Sequence, residues 1–176
     1  MKTPQYLLLL ALLGMPTVAQ NGPKLMTPNQ LRAYLDEVEA KLPTWDSGLM
    51  ALFAPVPAYR GENRDLVALR DSAFGGCREF VSETVNTDIP TMIKAERIAP
   101  RLSLEIRLHS ALNGIHDCVS GTSPFIGDSR PPGRGDTALK LTQEINPLLL
   151  PLAKHILAEA ESLESRKCAN PSDTPK

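Results

Sequence analysis

The chain lacks an apolar stretch long enough to cross a bilayer, an Asn-x-Ser/Thr sequon and a Cys-x-x-Cys-His haem-attachment string, and aromatic residues make up only 5% of it. A spanning helix needs about 20 apolar residues. The longest run, Tyr6 to Leu13, stops at eight, so stable membrane insertion is not expected. Neither sign of charge dominates: 19 Lys and Arg are interspersed with 20 Asp and Glu, which leaves no basic stripe for nucleic acid and no acidic tail. No segment alternates at period two, so no sheet is expected, and there is no internal repeat. Three cysteines are too few for a disulfide scaffold and leave one unpaired within the chain.

What is present begins with a leader. Lys2, the run Tyr6 to Leu13 and the small or turn-forming Gly14, Pro16, Thr17 and Ala19 have the three-part build of a secretory signal peptide. Thr17 and Ala19 fit the third and first positions before the cut, so the mature chain is expected to start at Gln20, in the periplasm or outside the cell. Residues 1–19 are therefore read as leader, 20–167 as one helical domain and 168–176 as a disordered tail. A domain of this length buries roughly 70% of its unfolded surface and does not need stapling in order to fold.

The clearest helix signal is Arg101 to Ser120. Stepping about 100° per residue puts Leu104, Leu108, Ala111, Leu112, Ile115, Cys118 and Val119 in one arc, with Ile106 outside it and Glu105, His109, His116 and Ser120 along one edge. A first helix starts at Thr27, where Gln30 completes a capping box, Pro28 takes the first helical position and Met26 can staple against Leu31; Pro43 is expected to end it. Trp45, Phe53 and Tyr59 make the following connector aromatic, and it is read as a lid over the bundle. A second helix, about Asn63 to Val85, carries two adjacent stripes: Leu66, Leu69, Ala73, Cys77 and Phe80, and Val67, Phe74 and Val81. Its Gly75-Gly76 pair predicts a close crossing or a kink. Asp88 is read as the cap of a shorter helix to Ala99, Thr122 to Gly135 as a loop, and the last helix as starting near Asp136 and interrupted at Asn146-Pro147. The fold class is all-α: an irregular up-and-down bundle of four main amphipathic helices with short connecting ones.

Few residues suggest chemistry. Glu105 and His109, four apart, can share a metal ion, but His116 lies two turns further, so the three need partners from another helix; His155 is the one other histidine. His116-Asp117-Cys118 contains the side chains of a cysteine-nucleophile site, yet neighbours on a helix do not face one another. Gly127-Asp128-Ser129 resembles the nucleophile block of one lipase and esterase class, without the sheet or the Asp-x-x-His such enzymes carry. Arg134-Gly135-Asp136 is the tripeptide integrins read, at the end of a Pro/Gly loop, although Asp136 has a competing role as a helix cap. Cys77 and Cys118 lie on apolar stripes and are expected to pair as a disulfide, assuming that the second helix and the central one run parallel. Cys168 is then left in the tail, where it could join two chains as a dimer.

The resulting expectation is an exported binding or protein-interaction module without a cofactor, its partner a protein or a small ligand. The alternatives are a metal-binding or enzymatic protein using Glu105, His109 and His116, and an adhesion ligand using Arg134, Gly135 and Asp136. A concave pocket with His155 or an acid facing the Glu105 edge would favour chemistry; a featureless edge would favour binding.

Overall fold

A computed structural model describes residues 24–58, 60–98, 102–127 and 133–169. The leader and its cleavage site, Tyr59, Asp128, Ser129, the Cys168 side chain and the tail from Asn170 onward lie outside the described residues and side chains. The elements are α1 (Pro28–Leu52), α2 (Arg64–Glu83), α3 (Ile89–Ile98), α4 (Leu102–Gly121), α5 (Ser123–Gly127) and α6 (Arg134–Ala169), with no strand among the described residues. The protein is an all-α bundle in which α6 packs on both α4 and α1, α3 on α4, and α1 on α2.

Helix α1 starts as its sequence dictates. Thr27 accepts the Gln30 N–H at 3.3 Å, and the Gln30 side chain accepts the Thr27 N–H at 2.8 Å. It does not stop at Pro43, which sits on the exposed side of a continuous helix. Leu42, Trp45, Leu49 and Leu52 prolong the buried stripe past the proline, each at most 7% exposed. Trp45 and Phe53 are therefore core residues and not a lid. Trp45 also donates its indole N–H to Glu144 at 3.3 Å, tying α1 to α6.

Asn63 caps α2 by accepting the N–H groups of Asp65 and Leu66. No new helix is capped at Asp88. Thr84–Asp88 form a π-helical turn, and the chain runs helically from Arg64 to Ile98. The widened turn precedes Pro90, whose ring would otherwise meet the carbonyl four residues back. One long helical rod then doubles back into α4, so α2 and α4 run antiparallel: Cys77 faces Cys118, and Phe80 faces Gly114. The parallel arrangement assumed from sequence is wrong because nothing turns the chain between α2 and α3.

Only one of the two apolar lines of α2 is buried. Arg70, Phe74 and Val81 face inward, while Leu66, Leu69 and Phe80 remain 57%, 58% and 42% exposed. The glycine pair supports no crossing among the described residues, since Cβ atoms added at Gly75 or Gly76 would meet none of them within 4 Å. Gly114 supports one instead: a Cβ there would fall 2.5 Å from the Phe80 ring.

Helix α6 also runs on through its prolines. Leu141, Ile145, Leu148, Leu152 and His155 form its buried stripe, and Pro147 and Pro151 are exposed. The periodicity of the sequence points to Leu149, Leu152, Ile156, Ala160 and Leu163; the buried stripe shares only Leu152 with that line, and Leu163 is 39% exposed. Between the prolines, the Leu148 carbonyl accepts the Tyr34 hydroxyl at 3.0 Å.

These packings make the glycines distinguishable. Gly76→Ala is expected to raise stability by about 1 kcal/mol through helix propensity alone, whereas Gly114→Ala is expected to lose that gain by displacing the Phe80 ring. Urea denaturation of both variants checks this: equal stabilisation would mean that the Phe80–Gly114 contact costs nothing to disturb.

Candidate functional site

Placing α4 against α6 brings Glu105 and His155 together. Their side chains are only 5% and 9% exposed, and His155 Nε2 lies 2.6 Å from Glu105 Oε1. On the other side of the ring, Nδ1 accepts the Met26 backbone N–H at 3.2 Å. An N–H can donate only to an unprotonated nitrogen, so the imidazole proton sits on Nε2 and is donated to the carboxylate. A single chain of hydrogen bonds thus runs from the segment before α1, through α6, to α4. Beside it is a cavity of about 210 Å³ lined by residues including Leu31, Leu102 and Glu159.

An acid and a histidine do meet at this edge, beside a cavity, which is the arrangement that would favour chemistry. The occupancy of the ring argues for a different role. Both imidazole nitrogens are already engaged, so neither a lone pair nor a proton remains for a substrate or a metal ion without breaking the chain. Leaving Glu105 uncompensated would be costly at this depth. The arrangement acts as a clasp.

The expected metal set is not assembled. Glu105 is committed to His155, whereas the His116 ring faces the Asp117 carboxylate at 3.5 Å. His109 is half-buried. No group of three His, Cys, Asp or Glu is placed to hold an ion among the described residues. His116 and Asp117 do approach, but Asp117 is mostly exposed and the Cys118 thiol is turned toward Cys77, so the three form no relay. Burial, a hydrogen bond with Cys77 and the charges of Cys77 and Asp117 push the Cys118 thiol up to about 12, the opposite of what a nucleophile needs.

Cys77 and Cys118 are free here, with Cys77 Sγ 3.9 Å from the Cys118 carbonyl oxygen. The disulfide expected from sequence is therefore not formed: the two cysteines are neighbours across an antiparallel hairpin but do not stand at bonding distance. Arg134-Gly135-Asp136 forms the first turn of α6 instead of the end of a loop. Arg134 is 8% exposed, donates to the Ala54 carbonyl at 3.1 Å and lies 5.4 Å from the centre of the Phe74 ring. That inward commitment withdraws the arginine an integrin would read. Asp136 is exposed in the helix's first turn, where its charge suits the helix dipole, and is not the cap.

Sequence reasoning missed Arg70, which is buried on α2 and bonds the Glu62 carboxylate at 2.7 Å and the Val56 carbonyl at 3.0 Å. The available signal was an arginine one turn before Phe74 on an apolar line. Comparison of this chain with protein families, curated proteins and solved structures finds no match.

Two predictions follow from these groups. Glu105→Leu or His155→Leu strands a buried polar partner and is expected to cost about 3 kcal/mol, whereas the double change Glu105→Leu/His155→Leu should cost much less than the sum. A double-mutant cycle in urea tests this, and additive losses would mean that the pair is not coupled. The second concerns alkali. In the reduced protein, burial raises the proton affinity of Cys118 from 9.0 to about 12, and burial with the nearby Glu37 charge raises that of Tyr34 above its ordinary 10.0. A raised folded-state value stabilises below the unfolded value and is lost above it. Unfolding midpoints should therefore hold up to about pH 9 and fall toward pH 12, with a shallower fall in Cys118→Ala/Tyr34→Phe.

Proposed function

We propose that this is an exported helical module that binds a partner protein through the outer face of α2. The observation that carries this reading is the line of Leu66 and Leu69, exposed along one helix and continued by the outer edge of Phe80, whose ring rests on Gly114 and is still 42% exposed, with Gly76 beside it and nothing among the described residues within 4 Å of where a Cβ would stand. Scattered exposed leucines need no explanation. A helical line of them, next to a glycine that weakens the helix by about 1 kcal/mol without any packing return from the described residues, fits a surface made for another helix to approach. Along one flank, Asp65, Glu79 and Glu83 are exposed at the same helical pitch, so the partner best matched is an amphipathic helix with a basic flank.

Export rests on the leader's build, and intact mass of the exported form should begin at Gln20. In an oxidising compartment, Cys77 and Cys118 could exchange with a protein disulfide: each loses its thiol proton, an S–S bond forms between them, and the donor disulfide is reduced to two thiols. Thiol counting on exported protein reads this directly, and free Cys77 and Cys118 would reject it.

The interaction is tested by placing a photo-crosslinking side chain at Leu69 and, as a control, at Leu139, which is 59% exposed on α6. Trapping of one polypeptide from position 69 and not from 139 is expected, and the trapping should be lost in Leu66→Glu. In Gly76→Ala the fold should gain stability while trapping weakens. Equal trapping at both positions, or none at Leu69, would sink the reading.

A further inference from the structure

A second surface, on α1 and α6 and separate from the α2 face, has the chemistry of a small-ligand site. The segment Lys24 to Met26, the start of α1 and the Leu150–Lys154 stretch of α6 enclose a groove of about 410 Å³. That volume lies within the range of small-molecule pockets. Its apolar surface comes from Leu25, Met26, Leu150 and Pro151, of which Leu150 is 58% exposed. One wall is the non-helical segment before α1; Met26 packs against the core and its N–H on His155 Nδ1 fixes it, and the ring is in turn held by Glu105. The wall is therefore preformed, which reduces the ordering cost of binding.

The polar inventory of the groove is one-sided. Lys24 lines it from the segment before α1 and Lys154 from α6, and neither has an ion-pair or hydrogen-bond partner among the described residues. The Gln30 carbonyl oxygen is spent on the Thr27 N–H, which leaves its amide hydrogens to donate. The Tyr34 hydroxyl proton is spent on the Leu148 carbonyl. Among the described residues no carboxylate lines the groove. Three donor groups, two of them cationic, over an apolar floor complement a ligand whose head carries only acceptor oxygens and whose body is apolar.

We infer that this groove binds an anionic amphiphile as a free monomer, a carboxylate or phosphate monoester on an alkyl chain, with Lys24 and Lys154 on the head group and Leu25, Met26, Leu150 and Pro151 along the chain. Carboxylate and phosphate heads share this chemistry, and the test separates them.

Isothermal titration of the exported chain with decanoate, decyl phosphate, decanol and decyltrimethylammonium, all below micelle formation, decides it. Saturable binding of at least one anion is expected, with decanol about tenfold weaker or worse and no binding of the cation. The anion that binds more tightly identifies the preferred head. Lys154→Met and Lys24→Met keep an apolar stem and remove the charge; each should weaken anion binding about tenfold or more, an effect of about 1.4 kcal/mol, and leave decanol unchanged. Both lysines are exposed, so circular dichroism and melting of the variants should match the parent. Decanol binding as tightly as the anions, lysine variants with unchanged affinity, no saturable binding below about 1 mM, or association only with anionic vesicles would each overturn the inference. A failed crosslink at Leu69 would leave this result untouched, because the two surfaces share no residue.

Discussion

Burial of an unbroken apolar stripe along each long helix is the constraint on which the rest of this structure depends. A proline inside a helix costs about 3 kcal/mol, and α1 and α6 together contain Pro43, Pro147 and Pro151. Fully burying a large apolar side chain contributes roughly 1.5 to 3 kcal/mol. Beyond Pro43, Trp45, Leu49 and Leu52 are each no more than 1% exposed, so three such contributions oppose one break. In α6, Leu148 and Leu152 continue the stripe while both prolines face solvent, and the Tyr34 hydroxyl satisfies a carbonyl between them. Local stop signals lose where the periodicity of the buried face passes through them undisturbed.

That constraint sets where the polar groups can be. With α4 and α6 locked side by side by their stripes, Glu105 and His155 are carried into the interface, and a buried carboxylate there must find a donor. His155 supplies it and has one nitrogen left, which the Met26 N–H fills. The same pair of helices thus extends its order to the segment before α1, where Met26 also packs against the core. Arg134 and Arg70 follow the same logic at the other end, where each guanidinium satisfies a loop carbonyl, Ala54 or Val56, under which a charge would otherwise be stranded. By contrast, Arg97 reaching Asp36 and Glu39 is solvent-exposed and contributes little.

Helical periodicity made the fold class legible, because the 3.6-residue repeat of α4 is nearly uninterrupted and the Thr27 capping box is local chemistry. The route of the chain was less legible. Pro90 and Asp88 looked like a helix start, and only the π turn, a rearrangement of backbone hydrogen bonds with no side-chain signature, shows why the rod continues. The Cys77 and Cys118 neighbourhood was reached although the assumed direction was wrong, since apolar position predicts facing inward whichever way a helix runs. At the candidate site, Glu105 was legible as an edge residue and His155 as the remaining histidine, but the Met26 N–H was not: a backbone donor in an extended segment leaves no mark in the residue pattern. Arg134-Gly135-Asp136 misled for the converse reason, because a motif read as a string carries no information about burial.

The asymmetry of α2 is the part of the structure that its own core does not explain. A helix with two adjacent apolar lines can bury both only if neighbours cover an arc wider than one helix spans, and α2 has α1 on one side and α4 on the other, the latter approaching closely where Gly114 admits the Phe80 ring. Leu66 and Leu69, within the first two turns of the helix, lie beyond that approach and stay in water. Were the described bundle closed without further cover over this face, the natural correction would be polar residues at those positions and Ala in place of Gly76, changes that stabilise a helix and expose less apolar surface. The residues actually present leave the helix weaker and its surface stickier than the monomer requires, a combination whose benefit would arise only when another apolar surface covers it.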